Sequence, residues 1–235
     1  MTDNIQILKD IEKAAELCEK EYSHTEIISI MQTENDFEKQ ICLLKLDTIL
    51  SAEEAQLLVF QLTGHHGLIR EAAAIKINEF IQNEKLLPFF QTTYIAESLL
   101  KGINDINPNI CRLMCAILPT MLNIKELKQI FINGLYKRFY EVYEELEKLK
   151  RSTWYTKKLF NLYWCLEALS NLEPQINSDF ENIIEQAVKI KDYTIREKAA
   201  MVLAKLAETS NKIDEIKNIL KHDENFYVRR YSQNF

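Results

Sequence analysis

The sequence is poor in glycine and proline, with only 4 of each in 235 residues. β-Sheet proteins use both residues heavily in turns, so this scarcity excludes most sheet architectures and favours long helices joined by short polar turns. Long apolar runs are also lacking, because no stretch approaches the roughly 18 uncharged apolar residues that a membrane-spanning helix needs. The N-terminal stretch MTDNIQILKDIEKAAELCEK lacks the basic, apolar and small-residue regions of a secretory signal. We therefore expect no membrane segment and no secretory signal.

The five cysteines are an odd number, and they lie inside apolar helical patterns where cysteine acts as a small hydrophobe. Unpaired thiols fit a reducing compartment, so we expect a cytoplasmic protein. The formal net charge of −6 is uneven. Residues 1–118 carry 10 Lys+Arg against 18 Asp+Glu, whereas residues 119–235 carry 19 against 17. We expect the first part to repel polyanions and the second to tolerate them without strong attraction.

Apolar residues recur at helical spacing along almost the whole chain, and strand-like alternation is absent over any useful length. In the third segment, the stripe Ile41, Leu44, Thr48 and Leu50 is predicted to face the core. The predicted helices cover residues 3–21, 24–33, 36–50, 52–63, 67–83, 92–103, 108–122, 124–150, 154–172, 178–190, 193–208, 212–221 and a partial helix from 226. The short gaps between them indicate a chain of helical hairpins.

Local signals mark where several of these helices begin. The pattern S-x-x-E of a capping box, in which Ser and Glu satisfy free backbone N–H groups reciprocally, occurs at Ser23/Glu26, Ser51/Glu54 and Ser178/Glu181. Pro108 is predicted at the first turn of another helix, where its missing N–H is not needed.

Internal repetition is the most informative feature of the sequence. GLIREAAA (67–74) and YTIREKAA (193–200) align without a gap, and NPNICRLMCA and NFYVRRYS are further copies with Ile110/Arg112 and Val228/Arg229 near the same places. Anchors at Phe37, Ile69, Ile110, Tyr155, Ile195 and Val228 are separated by 32, 41, 45, 40 and 33 residues. Such spacings are typical of two-helix repeats of the HEAT or armadillo kind.

The run polar–x–x–apolar–Arg–x–x–Ala at a helix start resembles the opening of a HEAT repeat, and especially the short HEAT-like units of phycobilisome-lyase-type proteins. The resemblance implies an all-α, right-handed α-α superhelix (solenoid) of about six two-helix repeats. We expect one domain over residues 1–235, with an N-terminal capping helix in 1–23 and a C-terminal cap in 222–235. The motif arginine is expected to reach a carboxylate or helix-terminal carbonyl groups of an adjacent repeat.

Repeats of this type are general binding scaffolds, so the fold by itself says little about function. We expect a non-enzymatic scaffold that binds a protein or peptide on a concave surface built from the second helix of each repeat. The alternative is a nucleic-acid-handling protein related to HEAT-like DNA-alkylation glycosylases. An Asp closely follows the aromatic pair of that family, whereas Lys157 and Lys158 follow here, so no catalytic residue is assigned. A chromophore- or small-molecule-handling protein of the lyase type would need an aromatic pocket between repeats.

Residues 136–164 hold 9 of the 23 aromatic residues, including both tryptophans, and several cations lie among them. Aromatic side chains beside cations suit a protein partner or stacked bases, although they can equally fill a core. The predicted binding residues are Tyr136, Tyr140, Tyr143, Arg151, Trp154, Tyr155, Lys157 and Lys158.

Two other clusters suggest chemistry, but their spacing argues against it. His65 and His66 are adjacent, whereas helical zinc sites prefer ligands at i and i+4, and the flanking sequence lacks the G-K-[ST] end of a phosphate loop. Cys111 and Cys115 share a helix face but have no matching ligand pair nearby. We expect the histidines to form a turn between repeats, the cysteines to pack in the core, and no metal or cofactor to bind.

Overall fold

The computed structural model describes residues 2–33, 35–121, 124–149 and 153–233. Within these ranges no residue lies in a β-strand, and the predicted all-α class is confirmed. The helices are α1 (Thr2–Glu19), α2 (His24–Ile30), α3 (Asp36–Lys45), α4 (Ala52–Phe60), α5 (Gly67–Ile81), α6 (Thr93–Ile103), α7 (Pro108–Met121), α8 (Lys125–Lys148), α9 (Thr153–Leu172), α10 (Ser178–Lys189), α11 (Tyr193–Ala204), α12 (Asn211–Lys221) and α13 (Phe226–Ser232).

Each predicted segment contains one of these helices, and the main error in length concerns the third. That helix ends at Lys45 instead of residue 50, and the backbone at Leu46 is extended. The predicted stripe is also wrong, because Leu44 and Leu50 are exposed. Cys42, Leu43, Leu46 and Ile49 are buried instead. The extended backbone after Lys45 changes which side chains point inward, so helical periodicity cannot be continued through it.

The predicted capping signals have three different outcomes. Ser23 and Glu26 form the complete capping box. Ser51 accepts from the N–H of Glu54, but the Glu54 carboxylate accepts from the N–H of Leu50 and faces His24 Nε2 at 3.0 Å.

The third capping prediction is wrong by one residue, because Asn177 is the N-cap and Ser178 is the first helical residue. The Asn177 side chain accepts from the N–H of Phe180 at 2.9 Å. Pro108 begins α7 as predicted.

The described chain divides into two compact units, with the boundary between residues 90 and 91. The charge difference follows this boundary, since residues 1–90 carry 8 Lys+Arg against 16 Asp+Glu and residues 91–235 carry 21 against 19. A single domain over residues 1–235, with caps in 1–23 and 222–235, remains a prediction.

In the first unit, α3 packs against α5, and α2 and α4 pack on the outer sides of these two helices. The core contains Leu43, Leu58, Ile77 and Phe80, all of which are buried. α1 lies against α3, and the Lys45 ammonium group donates to the carbonyl oxygens of Cys18 and Lys20 at 2.5 and 2.7 Å. This lysine supplies donors to the C-terminal end of α1, where helix carbonyl groups lack intrahelical partners.

The second unit has two layers of helices. The motif helices α7, α9, α11 and α13 pack side by side in one layer, and α6, α8, α10 and α12 form the other. Motif anchors Ile110, Ile195 and Val228 are the third residues of their helices and are fully buried between the layers. The anchor Phe37, in the first unit, is 47% exposed, so the sequence copy around it is out of register.

The motif arginine has the same local role in three helices. Its Nη1 donates to the carbonyl oxygens five and six residues earlier, in the turn that precedes its own helix. The acceptors are Gly64 and His65 for Arg70, Ile190 and Lys191 for Arg196, and Asp223 and Glu224 for Arg229, at distances between 2.5 and 3.0 Å. Arg196 also reaches the following turn, where its Nε and Nη2 bond the Asp223 carboxylate at 2.6 and 3.1 Å.

The third sequence copy differs from the alignment proposed for it. Ile110 takes the anchor position, but Arg112 is exposed and Cys111 occupies the position of the motif arginine. The Cys111 thiol donates to the carbonyl oxygen of Asp105, six residues earlier, at 3.1 Å. A small neutral donor therefore replaces the arginine in α7.

Different polar contacts join successive motif helices of the second unit. The side-chain amide of Asn171 in α9 donates to the carbonyl oxygen of Cys115 in α7. The amide of Asn161, also in α9, donates to the carbonyl oxygen of Asn104, in the turn between α6 and α7. Between α9 and α11, Lys198 pairs with Glu167. Lys205 also donates to the carbonyl oxygen of Ser170 at 3.1 Å. Between α11 and α13, Arg196 pairs with Asp223.

Removing one partner of the Arg196–Asp223 pair should destabilise the second unit. Both side chains are less than one-tenth exposed, so Asp223→Asn leaves a buried guanidinium without its counter-charge and should cost about 3 kcal/mol. Glu224→Gln is the matched control, because Glu224 approaches the same guanidinium at 3.6 Å but is almost fully exposed. Urea unfolding followed by circular dichroism measures both, and equal losses would contradict the role of the buried pair.

The contribution of Asp223 should also depend on pH. Burial raises the pKa of its carboxyl, but hydrogen bonds from Arg196 and from the N–H of Asn225 outweigh burial and hold this pKa below its ordinary value of 3.8. A depressed folded-state pKa gives stability that is complete above the unfolded value and is lost as pH falls through the folded value. The free-energy difference between wild type and Asp223→Asn should therefore be constant near neutral pH and shrink below about pH 4. A pH-independent difference would contradict this assignment.

The N-cap of α10 offers a direct test of the corrected capping residue. Asn177→Ala removes an acceptor for a helix N–H and should reduce the free energy of unfolding by about 1 kcal/mol. Ser178→Ala should change it by less than about 0.5 kcal/mol, because Ser178 is inside the helix and exposed. Thermal or urea unfolding that shows the larger loss for Ser178→Ala would restore the original prediction.

Candidate interaction surface

The three predicted tyrosines of α8 lie toward α10. Tyr140 Oη donates to the carbonyl oxygen of Asp179 at 3.2 Å, and the Tyr143 ring stacks on Phe139 with centroids 6.1 Å apart. Tyr136 is only 7% exposed, and its hydroxyl has no hydrogen-bond partner among the described residues. Burial, helped by the charge of Asp179, raises the pKa of Tyr136 and Tyr140. Tyr136 therefore belongs to the packing of the unit, while Tyr140 and Tyr143 are partly accessible.

The predicted residues at the start of α9 are more accessible. Trp154 is 62% exposed, and the Lys157 ammonium lies 4.6 Å from the centroid of its ring. Tyr155 is half-buried, and Lys158 forms an ion pair with Glu145 of α8. The hydrogen bond from Lys158 holds the pKa of Glu145 below its ordinary value. Arg151 lies outside the described residues.

The structure adds exposed apolar side chains that the sequence analysis did not select. They lie at the starts of the motif helices or in the turns before them, at one end of the motif-helix layer. The Tyr193 and Tyr227 rings stack with centroids 6.1 Å apart, and Phe226 meets Tyr227 edge-on at 5.7 Å. The four added residues are Ile106, Tyr193, Phe226 and Tyr227. Together with the predicted Trp154 and the half-buried Phe160, two turns into α9, they form a surface that we name the aromatic edge.

Two neighbouring clefts lie in the middle of the aromatic edge. One of about 280 Å³ lies between the turn before α7 and α9, with Ile106 and Phe160 in its lining. The other, of about 310 Å³, lies between α9 and α11, with Phe160 and Tyr163 on one side and Thr194 on the other. Phe160 and Thr156 line both clefts, so the clefts continue from the turn before α7, across α9, to the start of α11.

A sequence signal for this edge exists in the repeat alignment. The positions one and two residues before an anchor hold Trp154 before Tyr155, Tyr193 before Ile195, and Phe226 and Tyr227 before Val228. At the first turn of a helix whose third residue points into the core, these two positions face outward. Aligning the repeats on their buried residues hides this second, exposed pattern.

The histidine pair forms a turn. His65 and His66 are exposed, and His66 is the N-cap of α5 without a side-chain capping bond. Instead, the motif arginine of the same helix, Arg70, donates hydrogen bonds to the carbonyl oxygens of Gly64 and His65. In the part of the chain that the structure describes, no three His, Cys, Asp or Glu side chains are grouped closely enough to hold a metal ion.

The cysteines of α7 are core residues. Cys111 and Cys115 are buried, and burial, with the nearby charge of Asp105, raises the pKa of Cys111 to about 12. Burial raises the pKa of Cys115 as well. Both thiols are therefore protonated at neutral pH, and a protonated thiol is a poor nucleophile and metal ligand. As for membranes, none of the helices in the described ranges has the length and apolar composition needed to cross a bilayer.

Comparison with known proteins gives matches in structure only. No family model matches the chain, and no curated protein matches it. An engineered protein is 12% identical at a TM-score of 0.55, covering 91% of this chain and 95% of that one. A computationally designed armadillo repeat protein for modular peptide recognition is 14% identical at a TM-score of 0.53, covering 90% and 98%.

A designed armadillo repeat protein in complex with the peptide (KR)4 is likewise 14% identical at a TM-score of 0.53, covering 91% of this chain and 98% of that one. At such identities the likeness shows the fold alone. The similarity to phycobilisome-lyase units remains a prediction. The predicted α-α solenoid class is confirmed, because the solved structures that this chain resembles include armadillo repeat proteins.

Proposed function

We propose that the protein is a non-enzymatic, cytoplasmic interaction scaffold that binds a protein or peptide over the aromatic edge of its second unit. The observation that carries this proposal is the exposure of large apolar side chains at successive motif-helix starts. Such groups cost free energy in water, and contiguous apolar patches on a protein surface mark interaction sites more often than chance. Tryptophan and tyrosine are also enriched among the residues that dominate binding energy.

The clefts on either side of Phe160 favour a partner with apolar side chains. Each cleft is lined mainly by carbon. The polar groups of its lining come from Thr156, Lys157 and Asn161 in one cleft and from Thr156, Asp192 and Thr194 in the other. Side chains of a peptide that crosses the motif helices would enter the clefts, while its backbone would meet these polar groups. The structural neighbours designed for peptide recognition are consistent with this use of the fold.

This proposal modifies the binding set predicted from the sequence. Trp154, Tyr155 and Lys157 stay in it, with Lys158 and the accessible parts of Tyr140 and Tyr143 at its periphery. Tyr136 is excluded because it is buried. The edge lies on the motif helices, whereas the sequence analysis placed binding on the second helix of each repeat, and a concave shape for this surface remains a prediction.

The nucleic-acid alternative has weaker support from the charges near the edge. Lys158 and Lys198 each pair with a carboxylate, and Lys157 lies over the Trp154 ring. Phosphate contacts provide most of the affinity of nucleic-acid-binding proteins, so cations already neutralised by carboxylates contribute less to it.

The edge can be tested with peptides selected on the wild-type protein from a random displayed library. Trp154→Ala and Tyr227→Ala should each weaken the binding of a selected peptide by at least about tenfold, since buried aromatic anchors contribute most of the energy of an interface. Fluorescence anisotropy of the labelled peptide measures this loss. Because both residues are at least half exposed, their free energies of unfolding should change by less than about 1 kcal/mol.

Tyr94→Ala is the matched control, because Tyr94 is a comparably exposed tyrosine on α6, in the other layer of the same unit. It should leave peptide affinity unchanged. Selection that yields no peptide, or peptides whose affinity falls equally in Tyr94→Ala and Tyr227→Ala, would contradict the proposal. Salt-sensitive binding of single-stranded DNA that is lost in Trp154→Ala would favour the nucleic-acid alternative instead.

A further inference from the structure

A further cavity lies between α6 and α8 in the other layer of the second unit. Its volume is about 460 Å³, within the range of small-molecule sites. Leu100 and Lys101 of α6 and the C-cap residue Asn104 line one side, and α8 contributes Gly134, Lys137, Arg138 and Glu141. This lining has three cations and one carboxylate, in contrast to the acidic balance of the whole chain.

The positive charge of this cavity is only partly compensated. Arg138 and Glu141 approach each other at 3.5 Å, but neither Lys101 nor Lys137 has an ion-pair partner among the described residues. Elsewhere in the described ranges some lysines pair, as Lys158 does with Glu145, and others remain unpaired, so it is the position of Lys101 and Lys137 in one cavity lining that sets them apart. Lys101 also lies in the last turn of α6, where its positive charge interacts favourably with the helix dipole. Lys137 lies in the middle of α8, so the helix dipole does not account for it.

The wall of the cavity is fixed by packing and hydrogen bonds. Asn104 donates to the carbonyl oxygen of Leu100, while its own side-chain and backbone oxygens accept from Cys165 and Asn161. Gly134 allows α6 to approach α8, because a Cβ at this position would lie 2.4 Å from Leu100 Cδ1. The helices that carry the cations are therefore fixed around a pre-formed space, so binding has to order only the lysine side chains and not the backbone.

The geometry points to a site for a small phosphate-bearing anion between α6 and α8. Lys101 lines the cavity from α6, and Lys137 and Arg138 line it from α8. Cationic donors on two sides of one cavity suit a tetrahedral phosphate, which offers three terminal oxygens, better than a planar carboxylate. A phosphate with a charge near −2 would balance the net charge of the lining. This inference does not depend on the proposed peptide surface.

Inorganic pyrophosphate is a suitable probe, titrated into the full-length protein by calorimetry at low ionic strength, where screening is weak. Wild type should bind it, and Lys137→Gln should weaken binding by about tenfold because it removes a charged donor. Lys148→Gln is the matched control, since it removes the same charge from the exposed last turn of α8, outside the cavity. It should change the affinity by less than about twofold.

Several outcomes would overturn the inference. Absence of pyrophosphate binding to wild type, or equal weakening in Lys137→Gln and Lys148→Gln, would show that no localised site exists. Equal affinity for succinate would show selection for charge and not for phosphate. Binding to vesicles of phosphatidylcholine and phosphatidylserine, without binding to pyrophosphate, would show that the cations bind a lipid surface and not a small anion. Circular dichroism of each variant confirms that a lost affinity does not reflect unfolding.

Discussion

Helices joined by short turns leave backbone carbonyl groups at their ends without partners, and a stack of helices places many of these groups near the interior. In this protein the motif arginine supplies the missing donors. One nitrogen of its guanidinium donates to two carbonyl oxygens in the turn before its helix. In Arg196 the other two nitrogens donate to the carboxylate of Asp223 in the next turn. In α5, α11 and α13 the apolar anchor lies one residue before this arginine, so the same helical turn buries an apolar side chain and satisfies the preceding carbonyl groups.

Such a contact explains why the motif predicted the fold from so few residues. Apolar spacing predicted the number and approximate bounds of the helices, and the I-R-E-x-A-A pattern located the starts of α5 and α11. Periodicity could not predict the extended backbone after Lys45, so the face assigned to Leu44 and Leu50 was wrong. It also could not show that Cys111 takes the arginine position in α7, since Arg112 is one residue away and matches by residue type.

The candidate surface was less predictable, for a different physical reason. The density of aromatic residues in 136–164 directed attention to Trp154, but density does not distinguish a side chain that packs against the neighbouring helix from one that faces water. Tyr136 and Trp154 belong to the same segment, yet Tyr136 is buried and Trp154 is mostly exposed. Tyr193 and Tyr227 are separated by a whole helical hairpin in sequence and contact each other in space, so only tertiary structure joins them.

The polar contacts between successive motif helices differ from one joint to the next. Asparagine side chains join α9 to α7 and to the turn before it, lysines join α9 to α11, and an arginine–aspartate pair joins α11 to the turn before α13. Apolar faces of similar helices would accept one another in almost any order, whereas these polar groups are satisfied only by one neighbour. These polar contacts therefore fix the order of the repeats. The helices of this unit cannot replace one another, although they share a motif.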